Sequence, residues 1–373
     1  EYLELVRKWY GRIFSEVDGL LFNQGGPIIG VQIENELTDQ PEHLATLKEM
    51  AMSVGFKVPI WTVTGWNSAY GAKVPLEDFL VVFGAYVDAP WADHQEKLPP
   101  SRHFIFDTMR NDAAIGMDLI NATDDDGWRL PYEDYPFATC ELGSGLPISY
   151  MRRSIVSGMD AYALSLVKLG CGNNLVGYYM YHGGTNKIGK LSTLQECKAT
   201  GYPNDYPILN YDFHTCISQY GQTNEQYELC NILHLFINDF GDMLAPMEHV
   251  AATEFVIEDD VTHLRYAMRT DGKAGFIFVN HHQRFLQLED VCDVVFDTGF
   301  FRFPSIDVKG DIAFILPFNI KIFGKTIDYA TLQLLCKGER EIYFARIEGI
   351  EPRISIDAVE YIISDGKLEL EEL

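Results

Sequence analysis

The sequence predicts an α/β domain built on a parallel sheet, followed by an antiparallel β domain. Three observations carry this. Up to about residue 246, short apolar runs alternate with amphipathic helical stretches, the pattern of parallel strands joined by crossovers. Beyond Pro246, segments rich in β-branched and aromatic residues are separated by the turn signals Asp271-Gly272, Lys309-Gly310 and Gly338. All five tryptophans (Trp9, Trp61, Trp66, Trp91 and Trp128) fall before this change, so the large aromatic surfaces belong to the first part. The expected domains are therefore 1–246 and 247–373.

Each element has a local reason. Residues 1–17 read as an amphipathic helix, with Leu5, Trp9 and Ile13 recurring every fourth position and Val6, Tyr10 and Phe14 beside them. The run at 27–36 opens after Gly25-Gly26 and reads as a strand buried on both faces. A helix follows at 41–54, with Pro41 at its start and Gly55 after its end. Strands are expected at 59–64, ending at Gly65-Trp66-Asn67, and at 79–84, ending at Ala85-Tyr86. An excursion through Asp124-Asp125-Asp126 leads to a short strand at 135–141. A helical stretch closed by Gly170 precedes a strand at 174–181, and a helix at 223–240 is closed by Gly241. In the second part, 265–268 and 275–279 flank Asp271-Gly272 as a hairpin.

Composition excludes some functions. With 29 Lys+Arg against 54 Asp+Glu, the formal net charge is −25, which argues against nucleic acid and anionic membrane surfaces as partners. No apolar run approaches the ~20 residues of a membrane span. The seven cysteines are scattered without a CxxC pair and read as isolated buried thiols. There is no P-loop, no GxGxxG after a strand and no His/Cys cluster at metal-ligand spacing. Asp124-Asp125-Asp126 reads as a solvated acidic loop rather than a calcium site, and His281-His282 as a solvated turn.

The chemistry concentrates where the run at 27–36 turns from Ile28-Ile29-Gly30-Val31 into Gln32, Glu34, Asn35 and Glu36. Carboxylates and amides at a strand end are expensive to keep for packing alone. The C-terminal ends of parallel barrel strands are where catalytic groups collect. Glu141 ends another predicted strand. Two such carboxylates are what glycosidic hydrolysis needs, one to protonate the leaving oxygen and one to attack the anomeric carbon or activate water. Period-2 alternation puts Gln32, Glu34 and Glu36 on one face, so the strand must bulge or end for Asn35 to join Glu36. Glu34 is expected to orient its neighbours.

The stretch Gly25-Gly26-Pro27-Ile28-Ile29 with Gln32, Glu34, Asn35 and Glu36 resembles the signature of glycoside hydrolase family 35, the β-galactosidase family. Cys140-Glu141-Leu142-Gly143, the run from Tyr179 to Asn186, Tyr211-Asp212-Phe213, His234-Leu235-Phe236 and the run from Gly275 to Asn280 are similar to the same family. The resemblance implies a TIM-type (β/α)8 barrel followed by an antiparallel β domain. It also implies retaining removal of terminal β-D-galactosyl residues from β-galactosides, with no cofactor. By the same resemblance Glu36 is the acid/base and Glu141 the nucleophile. Asn35 holds the sugar's 2-hydroxyl, and Tyr179 and Tyr211 contact the sugar. A retaining pair implies carboxyl groups ~5–5.5 Å apart, with Glu141 ionised and Glu36 holding its proton.

Two departures accompany the resemblance. Phe213 stands where the family often has a tyrosine that touches the sugar, and Leu142-Gly143-Ser144-Gly145 replaces aromatics that often follow the nucleophile. If Glu36 ends the fourth strand and Glu141 the seventh, strands one to three, with their sugar-holding Tyr and Ala-Glu, are expected to precede Glu1. The chain then reads as lacking the first barrel strands. The enzymatic alternative is another exo-β-glycosidase of the family, such as a β-glucosaminidase. The non-enzymatic alternative is an inactive carbohydrate-binding remnant. The resemblance implies a secreted, periplasmic or lysosomal setting.

Overall fold

A computed structural model describes residues 1–37, 40–64, 79–92, 98–108, 110, 134–202, 204–252, 256–364 and 366–370. Trp66-Asn67, Asp124-Asp125-Asp126 and Trp128 lie outside the described residues. The chain divides into two compact units, one of Glu1–Ala85 with Met109–Glu141, the other of Tyr86–Thr108 with Leu142–Leu373.

The first unit holds helices α1 (Tyr2–Val17) and α2 (Pro41–Val54), strands β1 (Val31–Gln32), β2 (Ile60–Thr64) and β3 (Leu80–Ala85), and all but the last residue of β4 (Phe137–Leu142). The strands lie side by side in the order β1-β2-β3-β4. β1 pairs with β2 and β2 with β3 in parallel, as the alternation of strand and helix requires. Leu21, Leu44, Ala51, Phe56, Ile60 and Phe79 form the core, with Tyr10, Phe14, Val17, Ile28, Val31 and Ile33 packed against it.

Two expectations need correction here. The strand expected at 27–36 is only two residues long, and the run is not buried on both faces, since Ile29 is 51% exposed. Among the described residues β1 pairs with β2 alone, and an isolated bridge joins Ile28 to Leu21, so the run is half-covered: Ile28, Val31 and Ile33 pack against the core while Gln32 and Ile29 are exposed. In α1 the inward stripe is Tyr10, Phe14 and Val17, whereas Leu5, Trp9 and Ile13 are exposed. A helix turning 100° per residue can carry two apolar stripes, and spacing alone does not say which one is covered.

The second unit contains α3 (Gly158–Gly170), α4 (Glu225–Leu244), β5 (Asn173–Leu175) and the small ladder of β6 (Gly184–Thr185) with β7 (Asn210–Tyr211). Ser157 and Asp160 cap α3 reciprocally, Asp160 N–H donating to Ser157 Oγ at 3.1 Å and Ser157 N–H to Asp160 Oδ2 at 2.8 Å. The glycine expected to close α4, Gly241, lies inside it, and the helix runs on to Leu244.

A seven-stranded sheet follows, formed by β8 (Glu248–Ala251), β9 (Arg265–Thr270), β10 (Gly275–His281), β13 (Ile312–Ile322), β14 (Lys325–Ala330), β17 (Arg353–Ile356) and β18 (Val359–Ile362). Two-stranded ladders join β11 (Val291–Val294) to β12 (Ile306–Val308) and β15 (Gln333–Lys337) to β16 (Ile342–Ala345). Among the described residues the strand pairings in this part are antiparallel, as its turn signals imply.

The expected hairpin is present: β9 and β10 pair from Thr270 opposite Gly275. Gly272 takes the left-handed φ of +87° that the turn requires, and Asp271 Oδ1 accepts the N–H of Lys273 at 2.9 Å and of Ala274 at 2.8 Å. Those two N–H groups hold the Asp271 carboxyl below its ordinary range.

The same unit contains polar groups that the sequence reading did not find. Arg269 on β9 is 1% exposed and spans the ends of both helices. Its guanidinium donates to Leu169 O at 3.1 Å at the end of α3, and to Leu244 O at 2.9 Å at the end of α4. It also donates to Met247 O at 3.1 Å and to Asn174 Oδ1 at 2.8 Å. A cation here satisfies carbonyls that a helix end leaves orphaned and complements the negative end of each dipole. Burial lowers its pKa to about 10, which still leaves it charged at neutral pH.

His281-His282 is not a solvated turn. Both side chains are buried. His281 bridges the carbonyls of Gly310 (2.5 Å) and Glu289 (2.9 Å) through its two ring nitrogens. His282 lies between carboxylates, with Nε2 3.1 Å from Asp160 and Nδ1 2.6 Å from Asp311. Arg284 donates to Asp160 Oδ2 at 2.7 Å and lies 3.4 Å from Asp88, which also receives Arg152 at 2.6 Å. Burial alone would lower the His282 pKa, but the hydrogen bonds and charges of Asp160 and Asp311 outweigh it and the net shift is upward. Burial would raise Asp160, yet His282 and Arg284 bring its carboxyl below the usual value. The two histidines look like a turn only because their partners are far away in the chain.

Candidate active site

The residues singled out from the sequence fall in both units. In the first unit β1 ends at Gln32, and the backbone bends further on, past Ile33 and Glu34, at Asn35 and Glu36. Glu36 takes φ 55°, a left-handed conformation that is costly for a residue with a long side chain. Three hydrogen bonds hold the bend. Gln32 Nε2 donates to Asn35 Oδ1 and to Glu34 O, both at 2.9 Å, and Asn35 N–H donates to Glu34 Oε1 at 3.0 Å. Glu34 therefore holds its neighbour's backbone N–H.

Behind the bend, Tyr10 OH donates to Ile33 O at 3.1 Å. Burial first, then the nearby Glu34 charge, push that phenol up to about 12, so it stays a donor. Gly30 is needed for close approach: a Cβ there would sit 2.1 Å from the Trp61 ring on β2.

Glu141 is 6% exposed, near the end of β4. Two strands, β2 and β3, stand between β1 and β4. The neighbouring Cys140 thiol is pushed far up, first by burial, then by the charge of Glu141, with Glu36 adding to it. Burial, with the charges of both carboxylates added to it, thus keeps Cys140 protonated.

Tyr179 and Tyr211 lie in the second unit. Directly after Glu141, Leu142 bridges Tyr178 in parallel, with Leu142 N–H donating to Gly177 O at 2.9 Å and Tyr179 N–H to Leu142 O at 3.1 Å. Tyr179 OH donates to the Tyr211 oxygen at 3.3 Å, and Tyr211 OH donates to Glu196 Oε1 at 2.8 Å. Phe213 is 2% exposed and packs edge-on to Tyr179 at 5.5 Å and tilted to Tyr211 at 4.9 Å. Phe213 thus packs as a buried ring against both tyrosines. Ser144 Oγ donates to Met180 O at 2.6 Å, and Thr215 donates to the same carbonyl. Glu196 was not found from the sequence. It sits in the long connection between β6 and β7, where neither period nor motif marks it.

Among the described residues, no group of three His, Cys, Asp or Glu side chains could hold a metal ion, and no helix is long and apolar enough to cross a membrane.

A parallel sheet with a fixed Gln-x-Glu-Asn-Glu bend at one strand end and a buried glutamate two strands beyond its neighbour defines a carboxylate-bearing α/β protein. Comparison with known proteins narrows the class. The sequence model of the Glycosyl hydrolases family 35 matches residues 1–236, and the chain belongs to that family. It is 27% identical over 224 residues to Beta-galactosidase 8 of Oryza sativa subsp. japonica, a match covering 56% of this chain and 29% of that protein. It is 26% identical over 221 residues to Beta-galactosidase 17 of Arabidopsis thaliana, covering 56% of this chain and 28% of that protein. The chain therefore aligns with less than a third of the length of either relative.

Proposed function

We propose that this chain carries the catalytic residues of a retaining exo-glycoside hydrolase that removes terminal β-D-galactosyl residues, with Glu36 as acid/base and Glu141 as nucleophile. Strands β1 to β4 are then the fourth to seventh strands of a (β/α)8 barrel. The observation that carries the reading is that spacing. Two strands lie between the one that leads to Glu36 and the one that bears Glu141, as a fourth-to-seventh assignment requires. Family membership and relatives named beta-galactosidase support the substrate class.

In this mechanism Glu36 gives its proton to the leaving glycosidic oxygen as Glu141 attacks the anomeric carbon. Water then displaces the sugar from Glu141 while Glu36 takes back a proton. Asn35, held by Gln32 and by Glu34, presents its amide to the 2-hydroxyl. By the family resemblance, Tyr179 and Tyr211 are the proposed sugar contacts. The buried phenyl ring of Phe213, with no hydroxyl to offer, favours one second reading: another exo-β-glycosidase of the family, such as a β-glucosaminidase.

A panel of nitrophenyl β-glycosides separates the readings. The β-galactoside is expected to be cleaved fastest, and Glu141→Gln and Glu36→Gln should each cost about a thousandfold or more in kcat. Fastest cleavage of a β-glucosaminide would move the assignment to the second reading. Undiminished turnover by Glu141→Gln would remove it as nucleophile.

A further inference from the structure

The hydroxyl chain from Tyr179 through Tyr211 ends on Glu196, a residue with no role in the mechanism above. An ionised carboxylate can only accept hydrogen bonds. Tyr211 OH donates its hydrogen bond to Glu196 Oε1 at 2.8 Å, which leaves its own oxygen to accept from Tyr179 at 3.3 Å. Glu196 thereby sets the direction of the Tyr211 hydroxyl, and through it the acceptor that Tyr179 meets. Burial first, then Tyr179 and Glu196, push the Tyr211 phenol far up, so it remains a donor throughout the working range.

Glu196 is itself tied down. Its carbonyl accepts Tyr206 N–H at 3.1 Å, and the preceding Gln195 donates through Nε2 to Tyr206 O at 2.5 Å. Its second oxygen, Oε2, is buried and has no hydrogen-bond partner among the described residues. Leaving a carboxylate oxygen buried and unpaired is costly, and packing alone does not explain a glutamate in that position.

We propose that Glu196 is a positioning residue for sugar recognition, one that fixes the direction of the Tyr211 hydroxyl and through it the acceptor that Tyr179 meets. This rests on the reading of those two tyrosines as sugar contacts. Neutral sugars are recognised by the sense of each hydrogen bond as well as by its position. A hydroxyl pair locked in one sense discriminates between epimers in a way that freely rotating hydroxyls cannot.

The test compares Glu196→Leu, which removes the acceptor, with Glu196→Gln, which keeps an uncharged acceptor of the same shape, both alone and in a Tyr211→Phe background. With nitrophenyl β-galactoside as probe, Glu196→Leu should lower kcat/KM by roughly tenfold or more. Glu196→Gln should recover most of that loss, and Glu196→Leu should cost little further once Tyr211 is Phe. An undiminished kcat/KM in Glu196→Leu, or a loss that persists in full in the Tyr211→Phe background, overturns the proposal. NMR of 13Cζ-labelled tyrosine gives a readout independent of turnover: the Tyr211 resonance should move in Glu196→Leu and return most of the way in Glu196→Gln. If the wild-type chain cleaves no glycoside, the functional reading fails by itself. The NMR result then decides the orienting role, an unmoved Tyr211 resonance contradicting it.

Discussion

The bend after β1 and the buried network around Arg269 and His282 are both polar constellations, but they are built in opposite ways. The bend is local and partly open. Gln32, Glu34 and Asn35 hold one another across at most three positions, and Asn35 and Glu36 are exposed. The network is distant and, apart from the exposed Asp311, buried. His282 and Asp160 are 122 positions apart, Arg269 and Leu169 are 100 apart, and all four are buried. A polar group that water can reach costs little to keep and is available to a substrate. One sealed from water must be fully paired or it destabilises the fold. The bend is therefore suited to chemistry and the network to holding the second unit together.

That contrast can be broken by substitution, and the largest expected effect on stability is at Arg269. Arg269→Met keeps much of the volume but strands the carbonyls at the ends of α3 and α4. It should lower unfolding stability by about 3 kcal/mol or more, read from the urea midpoint. Glu36→Gln, measured alongside, should leave that midpoint within about 0.5 kcal/mol of wild type, as surface changes do. Equal losses in the two variants would erase the distinction between the regions.

A smaller effect is expected at His282 and is specific in pH. The folded protein binds the His282 proton more tightly than the unfolded chain does, because its pKa is raised by Asp160 and Asp311. Its contribution to stability is complete below the unfolded value of about 6.5 and is lost as pH rises through the folded value. Asp160 works in the other direction. Its lowered pKa contributes above about 3.9 and is lost as pH falls through the folded value. Urea midpoints across pH 5 to 9 should therefore decline on the alkaline side in the wild type, and Glu→Gln changes at exposed sites should not alter that decline. His282→Gln should flatten it. An unchanged slope in His282→Gln would assign the alkaline loss to another group.

The same contrast explains what could be read from the sequence. The Gln32-to-Glu36 run was legible because its partners are neighbours in the chain, and Glu141 because it ends an apolar run. The parallel order of the first strands and the hairpin about Asp271-Gly272 followed from local periodicity and turn chemistry. Distant partners were not legible. His281-His282 looked like a turn without Asp311, Asp160 and the two carbonyls that hold it. The strand expected at 27–36 is longer than the one observed because the extent of pairing is invisible in composition, and in α1 the stripe beside Leu5, Trp9 and Ile13 is the one that packs. Glu196 lies in a connection without period, and only the fold brings it to Tyr211.

The central claim is that Glu141 forms a covalent bond to the sugar. An activated 2-deoxy-2-fluoro-β-galactoside slows both steps but allows the intermediate to accumulate when its leaving group is good. Incubation followed by peptide mapping by mass spectrometry should find one fluorogalactosyl group, carried on the peptide containing Glu141. A label on another residue, or turnover of the galactoside with no label at all, would contradict the account.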